Sequence, residues 1–251
     1  AFAEEGILDP LKFTLDYANE ARRHGGVILG RSKVTGFDVE NNKINAVHTS
    51  KSTYYGNKVA VMTGAWASRT TQMAGITLPI QHTHAEAMVT EKMPKVLNNG
   101  IEMADFYETI HGKPRAVAIG VHPQNHGTLD ISESVTKTNL LHKGLSAWGI
   151  TTMAKELIKI IPILEKVRIV RTWGRPTSFT PDEQPLIGWV PGIDNLFVGT
   201  SLVETITAVP VLSEWMALML QEKETPVAME MYSPSRFRHL IEKNELGVLT
   251  T

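Results

Sequence analysis

The apolar positions in the first quarter of the chain follow helical spacing and then strand spacing. Asp9 and Pro10 begin a helix, because a side-chain oxygen for the free backbone amides stands before a proline at the first helical position. Leu11, Leu15 and Ala18 then fall on one helix face. A glycine pair at 25–26 ends this helix. After it, short apolar runs predict strands over 27–29, 34–39, 44–49 and 58–63.

A different pattern begins near Gly75. Short apolar stretches separated by proline, glycine and asparagine, such as 87–90 and 116–121, predict an antiparallel sheet. Helical spacing follows and stops at Pro162. The remaining predicted elements are a helix over 151–161, strands over 167–172 and 195–199, and a helix over 210–221. The pattern changes again near Gly174. We therefore expect the chain to pass from one domain to the other near Gly75 and near Gly174.

Composition narrows the class of protein. The 251 residues suit one large domain or two small ones, and 42% apolar with 20% charged residues is typical of a globular chain rather than a disordered or fibrous one. A net charge of -1 gives no electrostatic reason to expect a nucleic acid or an anionic membrane as partner. The absence of cysteine excludes disulfides, thiolate nucleophiles and cysteine-ligated metals.

Three groups of motifs, in order along the chain, carry a family resemblance. The first comprises Gly-Ile-Leu-Asp-Pro at 6–10, Gly-Gly-Val-Ile at 25–28 and Val-Thr-Gly at 34–36. The second comprises Val-Met-Thr-Gly-Ala-Trp-Ala at 61–67 and His-Ala-Glu-Ala-Met-Val-Thr-Glu at 84–91, the latter in the place of an R-G-Q-x-L-x-T-E pattern. The third comprises Trp-Gly-Arg-Pro at 173–176, Pro-Leu-Ile-Gly at 185–188 and Asn-Leu-Phe-Val-Gly at 195–199. Together they resemble the FAD-dependent amine and amino-acid oxidoreductases of the D-amino-acid oxidase superfamily, in particular its glycine oxidase, sarcosine oxidase, hydrogen cyanide synthase flavoprotein and dye-linked proline dehydrogenase branches.

The resemblance implies a fold. It is an α/β (α+β) fold in which the C-terminal portion of an FAD-binding Rossmann-like domain carries an inserted antiparallel-sheet substrate domain. Segments 1–75 and 173–251 are then parts of the FAD-binding domain, and 76–172 is the substrate-binding sheet. Strands over 58–63 and 195–198 should lie side by side, although they are distant in the sequence.

One family motif is absent from these residues. No G-x-G-x-x-G fingerprint, whose amides hold the FAD pyrophosphate, occurs in the 251 residues. We therefore expect a further N-terminal segment or a partner subunit to supply it. The 251-residue chain alone should expose apolar edges where that unit docks and bind FAD weakly or not at all.

Amine oxidation moves a hydride from the carbon beside the nitrogen to the flavin, so the protein mainly orients the substrate and sets the electrostatics. By resemblance, Arg175 binds the substrate carboxylate with its planar fork; the alternative is a surface arginine in a tight turn. Tyr107 is expected on a sheet strand facing the flavin, with core packing as the alternative. His84 could tune protonation of the substrate amine, or could be satisfied by neighbouring backbone. With His82 it makes only two metal ligands, so no metal is predicted.

Further positions match the family's cofactor contacts. Val34 resembles the residue whose backbone meets the adenine, and Thr63, Gly64, Ala65 and Trp66 would pass close to the pyrophosphate. The segment that would line the flavin comprises Gly199, Thr200, Ser201, Leu202, Val203, Glu204, Thr205 and Ile206.

The flavin-lining segment departs from the family pattern at Glu204, which occupies the place of a glycine. Facing the ring, its charge would oppose reduction of the flavin. Ser201 and Glu204 also have the spacing of a capping box, so a structural helix start is the alternative explanation for both.

The leading functional hypothesis is an FAD-dependent oxidoreductase that oxidises a small amine or amino acid by hydride transfer to flavin. Two alternatives stay open. One is a non-catalytic flavoprotein-like subunit of a hetero-oligomeric dehydrogenase, and the other is a hydroxy-acid or glycerol-phosphate dehydrogenase of the same superfamily. The expected partners are the small substrate, the N-terminal FAD-binding segment or a partner subunit, and other copies or subunits in an oligomer. The expected location is cytoplasmic, with peripheral membrane association left open.

Overall fold

The structure is a computed structural model, and it describes residues 8–202 and 205–243. The helices are α1 Pro10–Arg23, α2 Ala67–Gln72, α3 Phe106–Gly112, α4 Ala147–Ile160 and α5 Thr205–Leu220. The strands are β1 Val34–Glu40, β2 Lys43–Thr49, β3 Thr53–Tyr55, β4 Val59–Val61, β5 Ile76–Thr77, β6 Gln81–Thr90, β7 Ile101–Glu102, β8 Arg115–Pro123, β9 Leu129–Lys137, β10 Ile169–Phe179, β11 Leu186–Trp189, β12 Leu196–Thr200 and β13 Glu242–Lys243. The result is a mixed α/β fold with antiparallel sheets. Among the described residues, no helix is both long and apolar enough to cross a membrane.

These elements form two compact units. The first contains the described parts of Ala1–Thr63, Ala67–Pro79 and Pro185–Thr251. The second contains Gly64–Trp66 and Ile80–Gln184.

The first unit has a small sheet in which β12 pairs with β11 on one side and with β4 on the other. The β12–β4 pairing is parallel and joins Leu196 to Val59, so the expected neighbourhood of these two distant strands is confirmed. The buried Asn195 side chain reinforces it by bonding the backbone N–H and C=O of Ile44 at 2.8 Å each and the C=O of Asn57 at 3.1 Å. One polar side chain therefore joins its own segment to two other stretches of backbone, at Ile44 and at Asn57.

Helix α1 begins where the sequence predicts. The Asp9 carboxylate accepts hydrogen bonds from the backbone N–H of Leu11 at 2.9 Å and of Lys12 at 3.1 Å. No residue of the helix is buried, and Leu11 is 75% exposed. The strand predicted over 27–29 is wrong: Val27 is 80% exposed, and a strand needs a paired neighbour that this segment does not have among the described residues.

Helix α5 begins earlier than the sequence predicts. Pro210, expected at its start, lies inside the helix. A proline within a helix removes one N–H donor, here the one that would bond the carbonyl of Ile206 near the helix start. Propensity at one position is therefore outweighed by packing of the helix, whose Leu212 and Met216 are buried with Phe197 of β12.

The second unit is built on a five-stranded sheet in the order β10-β6-β9-β8-β7, in which all pairs are antiparallel. Met153 and Leu157 of α4 pack with Met88 and Ile131 of the sheet in one apolar cluster. A second cluster joins Ile110 of α3 to sheet residues that include Ala85 and Val135. Strand β10 continues unbroken across residues 172 and 173, where the sequence places a domain boundary, so the Trp-Gly-Arg-Pro motif is part of this sheet.

Candidate functional site

Arg175 lies in strand β10, where it is paired with Ala85 of β6, and not in a tight turn. Its side chain is 58% exposed, and its Nη2 donates a hydrogen bond to Oε2 of Glu133 at 3.3 Å. The strand gives the guanidinium a rigid base, while most of its five donors stay available for another ligand.

Glu133 is the residue near Arg175 that the sequence analysis missed. It lies in β9, and its side chain is only 13% exposed. Burial raises the pKa of Glu133 above its usual range, while the charges of Arg175 and His111 act in the opposite direction. A glutamate between Ser132 and Ser134, in a strand that also carries buried isoleucine and valine, is the only sign of this role in the sequence.

An aromatic cluster lies on the same side of the sheet as Arg175. Tyr107 and His111 stack at 4.3 Å between ring centroids, and His111 meets the edge of Phe179 at 4.8 Å. Phe179 is four residues after Arg175 in β10, so both side chains leave the same face of the strand. His111 Nδ1 also lies 3.2 Å from Oε1 of Glu183.

The strand position expected for Tyr107 is wrong, because this residue lies in the second position of α3. Asp105 favours the turn: its backbone carbonyl accepts from Thr109 N–H at 2.9 Å, and its carboxylate accepts from the Thr109 hydroxyl at 3.1 Å. These two contacts between Asp105 and Thr109 stabilise a helical turn at the position where the family resemblance implies a strand.

His84 lies on the opposite face of the sheet from Arg175. It precedes Ala85, the partner of Arg175, and neighbouring side chains on a strand point to opposite faces. The His84 ring is buried and stacks on His142 with 3.9 Å between centroids. Neither ring nitrogen has a hydrogen-bond partner in the described structure, and Nε2 is 3.8 Å from Oε1 of Glu86. The structure thus separates two side chains that the sequence analysis placed in one catalytic group.

Glu86 is a buried carboxylate at the N-terminus of α4. It accepts hydrogen bonds from the Ser134 hydroxyl at 2.5 Å, from the Ser146 hydroxyl at 2.9 Å and from the backbone N–H of Ser146. Ser146 also caps α4 by accepting from Gly149 N–H. A negative charge at this end of a helix is favoured by the free amides and the helix dipole. Glu86 therefore fixes α4 to the sheet.

Acid should weaken the fold through His84. Burial lowers the pKa of His84 from its usual 6.5, the charge of His142 lowers it further, and Glu86 opposes both. A histidine whose pKa is lowered by folding binds protons better when unfolded, so its full contribution is present above pH 6.5 and is lost as the pH falls below that value. We expect urea titrations between pH 7 and about pH 5 to give a smaller fall in unfolding free energy for His84→Gln than for the natural chain. The exposed His239→Gln serves as the control for replacing a histidine. An equal fall in unfolding free energy for His84→Gln and for the natural chain would contradict this account.

Two of the predicted cofactor residues in the first unit are Val34 and Thr63. Val34 is the first residue of β1. The Thr63 hydroxyl lies 3.1 Å from the hydroxyl of Thr70 in α2. Val34 is paired with Thr49 across the β1–β2 hairpin. Val34 thus stands on a paired strand, and Thr63 lies between β4 and the turn at 64–66.

Gly64, Ala65 and Trp66 form a tight helical turn. Gly64 has a φ of 53°, and a side chain there would meet no atom within 4 Å, so the backbone borders open space. The Ala65 carbonyl is 2.8 Å from Nε2 of His82, and the Lys143 ammonium lies 5.9 Å from the Trp66 ring centroid. The imidazole of His82 is thus used to hold this turn. Among the described residues, no group of three histidine, aspartate or glutamate side chains is arranged to hold a metal ion.

The predicted flavin-lining segment begins at the end of β12. Gly199 packs so closely under Met216 that a Cβ there would lie 2.6 Å from the sulfur. Thr200 ends the strand and is buried, and Leu202 is half-buried. Ser201 has a φ of 52°, and its buried hydroxyl has no hydrogen-bond partner in the part of the chain described.

The rest of that segment leads into α5. Val203 and Glu204 lie outside the described residues, so the effect of Glu204 on flavin reduction stays a prediction. Thr205 begins the helix, and Ile206 is partly exposed.

Comparison with known proteins places the whole pattern in one family. The sequence profile of the family described as "FAD dependent oxidoreductase" (DAO) matches residues 1–219. The hydrogen cyanide synthase subunit HcnC of Pseudomonas protegens is 25% identical over 190 residues, which are 75% of this chain and 42% of that protein. The mitochondrial sarcosine dehydrogenase of Mus musculus is 27% identical over 202 residues, covering 78% of this chain and 22% of that protein. The chain thus spans less than half the length of these relatives.

Two solved structures illustrate the similarity of fold. L-proline dehydrogenase from P. horikoshii superposes with a TM-score of 0.79 and 25% identity, covering 92% of this chain and 60% of that one. Glycine oxidase from Geobacillus kaustophilus superposes with a TM-score of 0.76 and 20% identity, covering 90% of this chain and 57% of that one. With a family profile that matches most of its length, the chain belongs to the DAO family of FAD-dependent oxidoreductases.

Proposed function

We propose that this protein oxidises a small amine or amino acid by hydride transfer to FAD. The observation that carries the proposal is the position of Arg175. It extends from a central motif of the family resemblance, on a rigid strand, beside the mostly buried carboxylate of Glu133. A guanidinium held in this way is suited to bind both oxygens of a carboxylate.

The two compact units take separate roles in this proposal. The first, with the parallel β12–β4 pair, forms the C-terminal portion of a Rossmann-like FAD-binding domain. The second, with the five-stranded antiparallel sheet, is the inserted substrate-binding domain. Because the dinucleotide fingerprint is absent from the 251 residues, a further segment or a partner subunit supplies the pyrophosphate site. HcnC, one of the relatives, is itself named as a subunit.

The residues present fit a dinucleotide cofactor at two separate places. Gly64 leaves its backbone open on one side, as close approach of a phosphate requires. Ser201 presents a buried hydroxyl without a partner, which a polar group of a ligand would satisfy. Val34, Thr63, Ala65, Trp66 and the 199–206 segment are the further candidates for holding FAD.

FAD, when bound, supplies the hydride acceptor. The chain's own residues bind and orient the substrate: Arg175 holds its carboxylate, and the stacked rings of Tyr107 and His111 form an aromatic wall on the same side of the sheet. His84, on the opposite face, contributes through the structure of the sheet and not by contact with the substrate.

The proposal is tested by turnover of the natural full-length protein with an artificial electron acceptor. Glycine, sarcosine and L-proline are compared with glycolate and glycerol 3-phosphate as electron donors. At least one of the amino acids should support reduction of the acceptor, and the two hydroxyl compounds should not. Turnover of glycolate or glycerol 3-phosphate without turnover of any amine would reject the proposal in favour of a hydroxy-acid or glycerol-phosphate dehydrogenase.

A further inference from the structure

Two opposite charges lie next to each other on the five-stranded sheet. Arg175 of β10 and Glu133 of β9 are separated by strand β6, yet their side chains meet at 3.3 Å. Arg175 is paired with Ala85, and Ala85 is in turn paired with Val135 of β9. Because the side chain between them is only a methyl group, the guanidinium and the carboxylate reach each other across the middle strand.

The surroundings of the pair are unequal. The Arg175 side chain is mostly exposed, whereas that of Glu133 is almost buried. The other charged or titratable groups that act on Glu133 are His111 of α3 and Glu102 of β7. His111 is already engaged at 3.2 Å with Glu183. Arg175 is therefore the full positive charge that compensates the buried carboxylate.

We propose that Glu133 and Arg175 form a two-point site for an amino acid, in which Arg175 binds the carboxylate and Glu133 binds the amine nitrogen. This two-point site takes the reaction, oxidation of an amine by FAD, from the proposed function and rests on it. It adds a residue that selects a substrate carrying an amine, Glu133, which lies outside every motif of the family resemblance.

Charge balance explains the selection. Arg175 and Glu133 together carry no net charge, and neither does a zwitterionic amino acid. When a substrate carboxylate engages the guanidinium, the buried Glu133 needs a new positive partner, which an ammonium group provides. A hydroxy acid brings a negative charge without a positive one and leaves the carboxylate of Glu133 uncompensated. A phosphate dianion would be repelled more strongly.

Glu133 also provides a place for the proton that must leave before oxidation. A hydride leaves the carbon beside a neutral amine, so a bound ammonium must first be deprotonated. The N–H bond breaks, the lone pair stays on nitrogen, and the proton forms an O–H bond with Oε2 of Glu133. Burial, which raises the pKa of Glu133, makes this carboxylate a better proton acceptor than an exposed one.

The test measures binding by anaerobic calorimetry on the natural full-length protein with its flavin already reduced by dithionite, so that a bound amine is not oxidised. The ligands are pairs that differ only at the nitrogen. The pairs are sarcosine with methoxyacetate and L-proline with tetrahydrofuran-2-carboxylate, in which an ether oxygen replaces the amine. In the natural protein, at least one amine should bind about tenfold or more tightly than its ether. Glu133→Gln should weaken binding of that amine by about 10- to 100-fold and leave the ether unchanged or more tightly bound.

The matched control is Glu91→Gln. Glu91, directly after β6, pairs with Arg168, directly before β10, at 2.7 Å. This pair lies at the end of β10 away from Arg175, and the Arg168 side chain is 82% exposed. This variant should keep the affinities of both members of each pair. It therefore separates loss of any Glu–Arg pair at the sheet from loss of the proposed amine contact.

Each outcome decides a different statement. If amines are turned over but bind no better than their ethers, or if Glu133→Gln weakens both members of a pair equally, the two-point site is wrong and the proposed function stands. If no amine is bound or turned over, the proposed function fails and the site fails with it. Should Glu133→Gln not fold, the amine-to-ether ratio in the natural protein decides the proposal alone.

Discussion

Replacing Arg175 by alanine should lower kcat/KM for an amino-acid substrate by about thirty- to a thousandfold, without changing the flavin content. A charge-assisted, two-oxygen contact in a partly dry site contributes about 2–4 kcal/mol, which this substitution removes. It also leaves the buried Glu133 without its guanidinium partner. Steady-state kinetics with an artificial acceptor and the absorbance of bound flavin are the two measurements.

Two comparisons separate binding from structure. Arg175→Lys should recover only part of the activity, because an ammonium does not reproduce the planar fork. An amine without a carboxylate should be nearly indifferent to either substitution, and so should any substrate to Arg168→Ala, which removes the exposed partner of Glu91. Equal losses for substrates with and without a carboxylate, or loss of flavin along with the Arg175 side chain, would refute the carboxylate contact.

Replacing Gly149 by alanine should lower the free energy of unfolding by about 2–4 kcal/mol. A Cβ at this position would lie 1.7 Å from Oε2 of Glu86 and 2.3 Å from the Ser134 hydroxyl. The carboxylate cannot move away without breaking its hydrogen bonds, because the hydroxyls of Ser134 and Ser146 both donate to it. The new methyl group must therefore displace either the buried charge or the start of α4.

Gly112→Ala is the matched control, since Gly112 ends helix α3 and a side chain there would meet no atom within 4 Å. It should be neutral or slightly stabilising, as alanine favours a helix over glycine. Denaturant titrations of both variants measure the difference. Equal stability of the two variants would mean that Glu86 is not fixed against α4.

The sequence was most informative where structure depends on neighbouring residues. Asp9 and Pro10 predict the start of α1 because the cap and the helix lie within four residues of each other. The antiparallel sheet follows from turn residues between apolar stretches. The parallel pairing of β4 with β12 joins residues more than 130 positions apart, and it was predictable only through the family resemblance.

The parts that sequence analysis missed depend on contacts between distant positions. Glu133 and Arg175 are 42 residues apart, and only the order of strands in the sheet brings them together. His84 points to the face of the sheet opposite Arg175 because of the register between β6 and β10, and no local sequence pattern reveals that register. For Tyr107, the strand position carried over from the family resemblance is wrong, because hydrogen bonds between Thr109 and Asp105 favour a helical turn here.

Anaerobic absorbance spectroscopy of the natural full-length protein tests the central claim most directly. The account predicts that the protein is purified with bound FAD and that adding a small amino acid, from the set of glycine, sarcosine and L-proline, bleaches the visible flavin absorbance. Glycolate at the same concentration should leave the spectrum unchanged. A protein without flavin even after incubation with FAD, or a bound flavin that no amine bleaches, would contradict the account.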